Sequence, residues 1–371
     1  MKSLSPISVR GPNKQPHVIA ALTNLAHELG PGGRLPTGRV LMESLGVTKA
    51  TLSKSLVHLQ NKGVLRCVQG SGIYVSDTLA QQRIALVFGG NIFSPSGSEF
   101  GRMFLQQSSR LANRSDKRLS CFLDVPEMSD QKVAGEAQVH KDLLEALQDD
   151  KIDGIILMGR NSEEQEAWLR SQNIPVIGTS DDGQSTSVSA HTVVLDYDAL
   201  ISMGLDSLIE SGCARVGFIT PRKYDYKKFQ KFIEAKGLDY VVDRVVRPMR
   251  GEDSPDTTRE GLGRAYAEQW LDSVGWWTHP DQRPDGLLIS DDVMCRGVLS
   301  YFSRNGIEPG RDITVCSHAN TGSFLLSEWE GAILRMELDP KAMAEAIFEM
   351  LDDLIAGKVR EPYYIQPVRA S

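Results

Sequence analysis

The side chains of this 371-residue chain that could make or break bonds are scattered in a way that argues against such chemistry. The seven histidines are dispersed, and His191 and His318 read as surface or cleft residues more readily than as metal ligands. The five cysteines, at 67, 121, 213, 295 and 316, are odd in number and widely spaced, with no C-x-x-C pair. Neither a disulfide framework nor a structural zinc site fits that spacing. G-x-S-x-G, H-E-x-x-H and a Walker lysine loop are all missing, and Gly89-Gly90 lacks the G-x-G-x-x-G spacing of a dinucleotide site. The chain is therefore not expected to be an enzyme, and no cofactor or metal is expected. Two other sets of residues do cluster. Thr48, Lys49, Thr51, Ser53 and Lys54, with Arg39 just upstream, combine ammonium, guanidinium and hydroxyl donors of the kind that bond phosphate oxygens and base edges. Ser290-Asp291-Asp292 sets two carboxylates side by side after an apolar run, a pattern that fits a helix cap as well as a contact to a polar molecule.

Charge separates these two sets. Residues 1–77 hold nine Lys/Arg against three acids, a net +6, while the remainder carries 32 bases and 45 acids, a net −13. A basic small segment on an acidic large one fits a nucleic-acid-binding head on a regulatory body. No run of 18 apolar residues suggests a membrane helix, and Met1 to Lys14 contain no apolar stretch of a signal peptide. A cytoplasmic location is expected.

The elements that must position the first set follow from periodicity. Val18, Leu22, Leu25 and Leu29 make one helical stripe, ended by Gly30-Pro31-Gly32-Gly33. Leu41, Met42 and Leu45 mark a short second helix that stops at Gly46. Thr48 is placed to cap a third helix, which buries Leu52, Leu56 and Leu59 and turns Lys49, Ser53 and Lys54 outward. The runs Val64–Val68 and Ile73–Val75, joined by Gln69-Gly-Ser-Gly72, form a hairpin. Helix, helix, turn, helix, hairpin is the winged helix-turn-helix order, whose third helix fits the major groove of DNA.

The runs Pro31-Gly-Gly-Arg-Leu-Pro-Thr-Gly-Arg-Val-Leu, Leu45-Gly-Val-Thr-Lys-Ala-Thr-Leu, Leu59-Gln-Asn-Lys-Gly-Val-Leu and Gln69-Gly-Ser-Gly-Ile-Tyr-Val resemble the GntR family head. The resemblance implies DNA contacts from Arg39, Lys49 and Thr51 and from a wing glycine, Gly70 or Gly72. Thr48, Ser53 and Lys54 lie on the same face. Gly38 stands where the family has glutamate and Ser53 where it commonly has arginine. Both departures imply an operator unlike the common one.

From Arg83 onward, apolar runs alternate with helical stretches. Ile84–Phe88, Leu119–Val125 and Ile152–Met158 alternate with helices over 99–113, 136–149 and 163–171, and Pro175–Gly178 closes the set. A second set, Arg215–Thr220, Tyr240–Val246, Gly286–Ser290 and Ile313–Cys316, alternates with helices near 198–211, 224–236, 258–272 and 292–304. Such alternation gives doubly wound parallel sheets, with ligands at the carboxyl ends of the strands. The fold class is therefore α/β: a winged-helix domain over 1–77, a linker over 78–82 and a two-lobed body over 83–371. Leu208-Ile-Glu-Ser-Gly-Cys-Ala-Arg-Val-Gly-Phe-Ile, Asp285-Gly-Leu-Leu-Ile-Ser-Asp-Asp and Gly306-Ile-Glu-Pro-Gly-Arg-Asp-Ile-Thr-Val resemble the LacI/GalR sensing domain, itself related to periplasmic sugar-binding proteins. A GntR-type head on such a body resembles the arabinose-repressor architecture.

The resemblance implies ligand contacts from Asp291 and, in place of a usual arginine, from Lys228. Asn320 stands beside Ala319, which replaces a ligand-binding aspartate. Phe93, Ser96, Ser98 and Phe100 would serve from the first lobe. Read on its own, Ser290-Asp291-Asp292 is equally a helix cap, Lys228 a charged helix face, and Trp270, Trp276 and Trp277 core residues. The function implied is a dimeric, sugar-responsive repressor of double-stranded operator DNA. A binding module whose head has lost DNA is the alternative. The +6 charge predicts that the isolated head, 1–77, binds DNA weakly and with steep salt dependence. Affinity that is flat across a salt titration contradicts that charge-based reading.

Overall fold

The computed structural model describes residues 15–77, 81–95, 97–115, 117–123, 131–133, 137–149, 152–159, 163–180, 191–220, 226–240 and 258–370. They divide into two compact units, one containing the residues up to Ile84 with 116–118 and 142–153, the other the rest.

In the head, α1 (Gln15–Leu29), α2 (Gly38–Leu45) and α3 (Lys49–Asn61) precede a hairpin of β1 (Leu65–Val68) and β2 (Gly72–Val75). Val18, Leu22 and Ala26 form the buried stripe of α1 with Leu25 partly buried, whereas Leu29 is exposed. Leu29 keeps the angular position of the stripe but is the last residue of α1, and at that helix end its side chain is left exposed, whereas Ala26, a turn earlier, is buried. Leu41, Leu45, Leu52, Leu59, Leu65 and Val75 complete the core. The segment before α2 adds to the hairpin edge: Leu35 N–H donates to Ile73 O at 2.9 Å, and Val75 N–H to Gly33 O at 2.7 Å.

The body contains two six-stranded sheets. The first runs, in spatial order, Tyr363–Ile365, Thr192–Leu195, Val176–Ser180, Gly154–Met158, Gln82–Phe88 and Lys117–Leu123. The second runs Asp239–Tyr240, Arg215–Ile219, Gly286–Ile289, Thr314–Asn320, Leu334–Leu338 and Val368–Arg369. The second sheet is parallel except for its last strand, which is antiparallel. The two sets expected from the sequence are present, with differences. Thr192–Leu195 and Tyr363–Ile365 join the first sheet, and the helix Pro340–Ile355 packs against first-sheet strands and the helix Glu99–Arg114. The chain thus passes between the lobes more than once, instead of finishing one before starting the other. The helix expected over 136–149 begins only at Lys141, because residues 137–139 pair with 131–133 as a short hairpin. Of the strand expected over Tyr240–Val246, residues beyond 240 lie outside the described residues.

One device recurs in both lobes. Arg83 N–H donates to Asp153 Oδ2 at 2.7 Å and its guanidinium forks onto the same carboxylate at 3.0 and 2.8 Å. In the second lobe, Ala214 and Arg215 N–H groups donate to the Asp285 carboxylate at 2.8–3.1 Å. Each aspartate precedes the glycine that opens a central strand, and each ties down the amino end of its neighbour. Asp285→Ala removes the acceptor for two backbone donors, and the expected loss is about 1–3 kcal/mol in urea unfolding. A change below about 0.5 kcal/mol contradicts the clamp.

Candidate DNA-binding and effector sites

The outer face of α3 is built by its cap. Thr48 Oγ1 accepts from Thr51 N–H at 3.3 Å and lies 3.1 Å from Thr51 Oγ1, fixing both hydroxyls at the exposed amino end. Lys49, Ser53 and Lys54 are exposed along the same helix, while Leu52, Ser55 and Leu59 are buried behind them. Arg39 lies in the first turn of α2, its side chain 86% exposed and paired with Glu43 at 3.0 Å. An exposed pair one helical turn apart contributes only about 0.3–0.5 kcal/mol, so a phosphate can displace the glutamate. At the wing, Gly70 (φ 76°) and Gly72 (φ 136°) take backbone conformations that favour glycine. The structure thus brings Thr48, Lys49, Thr51, Ser53 and Lys54 onto one helix, with Arg39 on the preceding helix and the two glycines in the hairpin turn.

In the body, Asp291 caps the helix Asp292–Arg304, accepting from Met294 N–H at 2.9 Å and, on its other oxygen, from Arg259 Nη1. Arg259 opens the helix Arg259–Ser273, whose own cap is Thr258 (Gly261 N–H to Oγ1, 2.9 Å). The two helices approach through glycines: a Cβ on Gly263 would lie 2.1 Å from Met294 O, and one on Gly297 2.0 Å from Glu260 O. Close approach at this crossing is what brings Arg259 to Asp291. Next to them Asn320 Nδ2 donates to Asp292 Oδ2 at 2.7 Å, and Ser290 Oγ donates to Thr220 Oγ1 at 2.7 Å. A small recess, open to solvent, is lined by Asp292, Asn320, Ser323, Arg335 and Glu337 among others. Asn320 is 2% exposed, and its Oδ1 accepts no hydrogen bond among the described residues.

The two adjacent acids are driven apart in pKa. Burial pushes Asp292 up to about 8, with the charge on Asp291 acting in the same direction. Burial also opposes the charge on Asp291, but Arg259, the Met294 N–H and His318 outweigh it and hold that carboxyl below its ordinary value. The pair is thus pushed apart, with the charge favoured on Asp291 and the proton on Asp292.

From the first lobe, Ser98 caps the helix Glu99–Arg114 with Gly101 N–H at 3.4 Å from its Oγ, and Phe93 is 61% exposed. Phe100 is buried, so it packs in the first lobe rather than facing solvent. Arg259 N–H reaches Pro95 O at 3.4 Å, which joins the loop carrying Phe93 and Ser98 to the second lobe. Ser96 lies outside the described residues; Lys228 is in the helix Tyr226–Ala235, its side chain outside them. Trp270 and Trp276 are core, and Trp277 is half exposed. Arg259 was not singled out by the sequence reading. The available signal was a cation in the first turn of a helix, where the helix dipole disfavours it unless an anion stands by.

Residues 16–75 match the family described as bacterial regulatory proteins, gntR family, and residues 205–370 match the periplasmic binding protein-like domain. The chain is a gntR-type head fused to a periplasmic binding protein-like body. The gntR-type head shares 45% identity over 49 residues, 13% of this chain, with the uncharacterized HTH-type transcriptional regulator YydK of Bacillus subtilis (strain 168). That match covers only 21% of the Bacillus protein. Three solved structures share the fold. The transcriptional regulator CelR–cellobiose complex has a TM-score of 0.59 and 14% identity, covering 97% of this chain and 99% of that one. A regulatory protein of the LacI family from Chloroflexus aggregans gives 0.58 and 15%, covering 77% and 96%. The transcription regulator CcpA of Lactococcus lactis gives 0.56 and 16%, covering 78% and 98%. The gntR-type head and the periplasmic binding protein-like body therefore occur in the order expected from the sequence. Among the described residues no helix is long and apolar enough to cross a membrane.

The proton on Asp292 makes the body pH-sensitive. A folded pKa near 8 against an unfolded value of 3.8 means that the folded state keeps a proton the unfolded chain releases. This group's contribution is whole below about pH 4 and is lost as pH rises through about 8. Asp292→Asn is expected to flatten the fall in unfolding free energy over that window, and a slope identical to wild type contradicts the assignment.

Proposed function

We propose that this protein is a cytoplasmic transcriptional regulator, acting as a repressor, whose head (1–77) binds operator DNA and whose body (83–371), joined by residues 78–82, binds a small polar effector, a sugar. The observation that carries the reading is the capped outer face of α3 in a gntR-type head: Thr48, Lys49, Ser53 and Lys54 are exposed and Thr51 is half-buried beside its cap, while Leu52, Ser55 and Leu59 are buried on the opposite face. On this reading α3 enters the major groove with its amino end toward the base edges. Arg39 takes a phosphate or base, and the wing backbone at Gly70 and Gly72 approaches the sugar-phosphate chain. A homodimer supplies two heads for two half-sites.

The effector is assigned to the carboxyl edge of the second sheet. There Asn320 offers an unsatisfied acceptor and Asp291 an ionised carboxylate oriented by Arg259, and the Arg259 N–H bond to Pro95 O brings up the first-lobe segment that carries Phe93 and Ser98. A neutral polyhydroxy compound suits this edge, because the carboxylate of Asp291 already neutralises Arg259. That CelR was solved with cellobiose supports a sugar by analogy of fold alone.

A gel shift of the full chain on the DNA upstream of its own gene tests the assignment. Arg39→Ala and Lys49→Ala are each expected to weaken binding by about 1–3 kcal/mol if they read bases. Lys54→Ala, if it touches only phosphate, weakens all sequences about equally. Wild-type binding undiminished in all three variants contradicts the placement of α3, and no binding by wild type favours a sensor whose head has lost DNA.

A further inference from the structure

The wing carries cations that the recognition helix does not account for. Arg34 lies beside β2, bridged antiparallel to Tyr74. Its Nη2 donates to Ser71 O at 2.7 Å, inside the turn that joins β1 to β2. Its guanidinium carbon is 5.9 Å from the centre of the Tyr74 ring. Arg66, paired with Tyr74 across the hairpin, places its own guanidinium carbon 5.4 Å from the same ring. Tyr74 OH and Ser71 Oγ are 2.7 Å apart, so the ring is tied to the turn at its far end. Arg34 Nε would stand 3.3 Å from a Cβ on Gly72, where φ of 136° already favours glycine. A side chain is disfavoured at Gly72 both by backbone conformation and by the arginine that crosses it.

These contacts do two things. The carbonyl of Ser71, which a bare turn would leave to water, is held by a side chain from outside the hairpin. Two guanidinium groups are also gathered around one aromatic ring. The acid beside Arg66 is Asp77, at 3.3 Å, with both side chains about half exposed or more. Like charges gathered on an exposed surface repel, and an anion placed over them relieves that repulsion. DNA phosphate is the anion that fits, since this is the hairpin that a winged helix lays against the duplex. Arg66 then exchanges Asp77 for phosphate oxygens.

We propose that Arg34 is a positioning residue that braces the wing turn through Ser71 and Tyr74, and that Arg34 and Arg66 together present this braced face to the DNA backbone. The inference rests on the DNA-binding reading above, which already brings the wing backbone to the DNA, and adds to it the side chains that brace and charge that wing. The brace depends on the arginine fork and not on charge alone, because a lysine cannot bond the turn while lying along the ring in the same way.

The test uses the full chain, with hydrogen–deuterium exchange across residues 68–74 and binding to a short mixed-sequence duplex over a salt titration. Arg34→Ala and Arg34→Lys are both expected to raise deuterium uptake in the wing and to lose several-fold in affinity. Arg66→Ala is expected to leave uptake unchanged and to lower the slope of log affinity on log salt by about 1. Tyr74→Phe, which keeps the ring and loses the bond to Ser71, raises uptake without changing the salt slope. Binding by Arg34→Lys equal to wild type overturns the positioning role, and unchanged uptake in Arg34→Ala overturns the brace. Failure of wild type to bind the duplex at low salt overturns the DNA-facing surface together with the proposed function. In that event the exchange data still decide separately whether the brace exists.

Discussion

The carboxylate of Asp291 is the interaction on which the carboxyl edge of the second sheet depends. It closes the amino end of one helix through Met294 N–H and holds the guanidinium at the amino end of another. That geometry is possible only because Gly263 and Gly297 let the two helices touch backbone to side chain-free backbone, with no room for a Cβ on either side. Packing comes first and electrostatics second: without the glycines, Arg259 would not reach Asp291. Arg259 in turn meets Pro95 of the first lobe, so the same crossing that orders the second lobe's edge also fixes a contact across to the first.

Placing two aspartates side by side in a buried position costs a great deal of free energy if both ionise. The structure resolves this by asymmetry. Asp291 receives a cation and a backbone donor and stays charged, while Asp292, bonded to the neutral amide of Asn320, keeps its proton. The edge therefore offers a charged acceptor, a neutral acid and an amide oxygen within a few residues. This mixture suits hydroxyl groups better than a second anion. The substitution at Ala319, where the resemblance leads one to expect a carboxylate, is consistent with an acid inventory already filled by Asp291 and Asp292.

Much of the head was legible in the sequence because its determinants are local. A threonine three residues before another donor position gives a cap, leucines at i, i+4 and i+7 give a buried face, and Gln69-Gly-Ser-Gly gives a hairpin turn. Leu29 shares the angular position of that face, but periodicity does not show that the helix ends there and leaves it exposed. Arg34 was visible as one of several bases, but its contact with Ser71 and Tyr74 depends on a strand-like approach that no local pattern announces. In the body, the alternation of apolar runs and helices gave the architecture. It could not show that Thr192–Leu195 and Tyr363–Ile365 return to the first sheet, because strand partnership at that separation is a tertiary property. Asp291 was equally readable as a cap or as a ligand contact. The structure displays the cap, and Arg259, which gives the carboxylate its charge, stands 32 residues away.

Head and body meet functionally only if occupancy of the carboxyl edge changes what the head can do, since coupling is a free-energy difference between two sites. The most direct measurement is calorimetric titration of the wild-type chain and of Asp291→Ala with neutral sugars, drawn from a thermal-shift screen, alongside release of bound DNA. A sugar that binds wild type, alters its DNA affinity, and loses about 1.5–3 kcal/mol of binding and all its effect on DNA in a folded Asp291→Ala protein is the predicted result. Unchanged sugar affinity and unchanged DNA response in that variant would contradict the account, leaving Asp291 a helix cap and the effector site elsewhere.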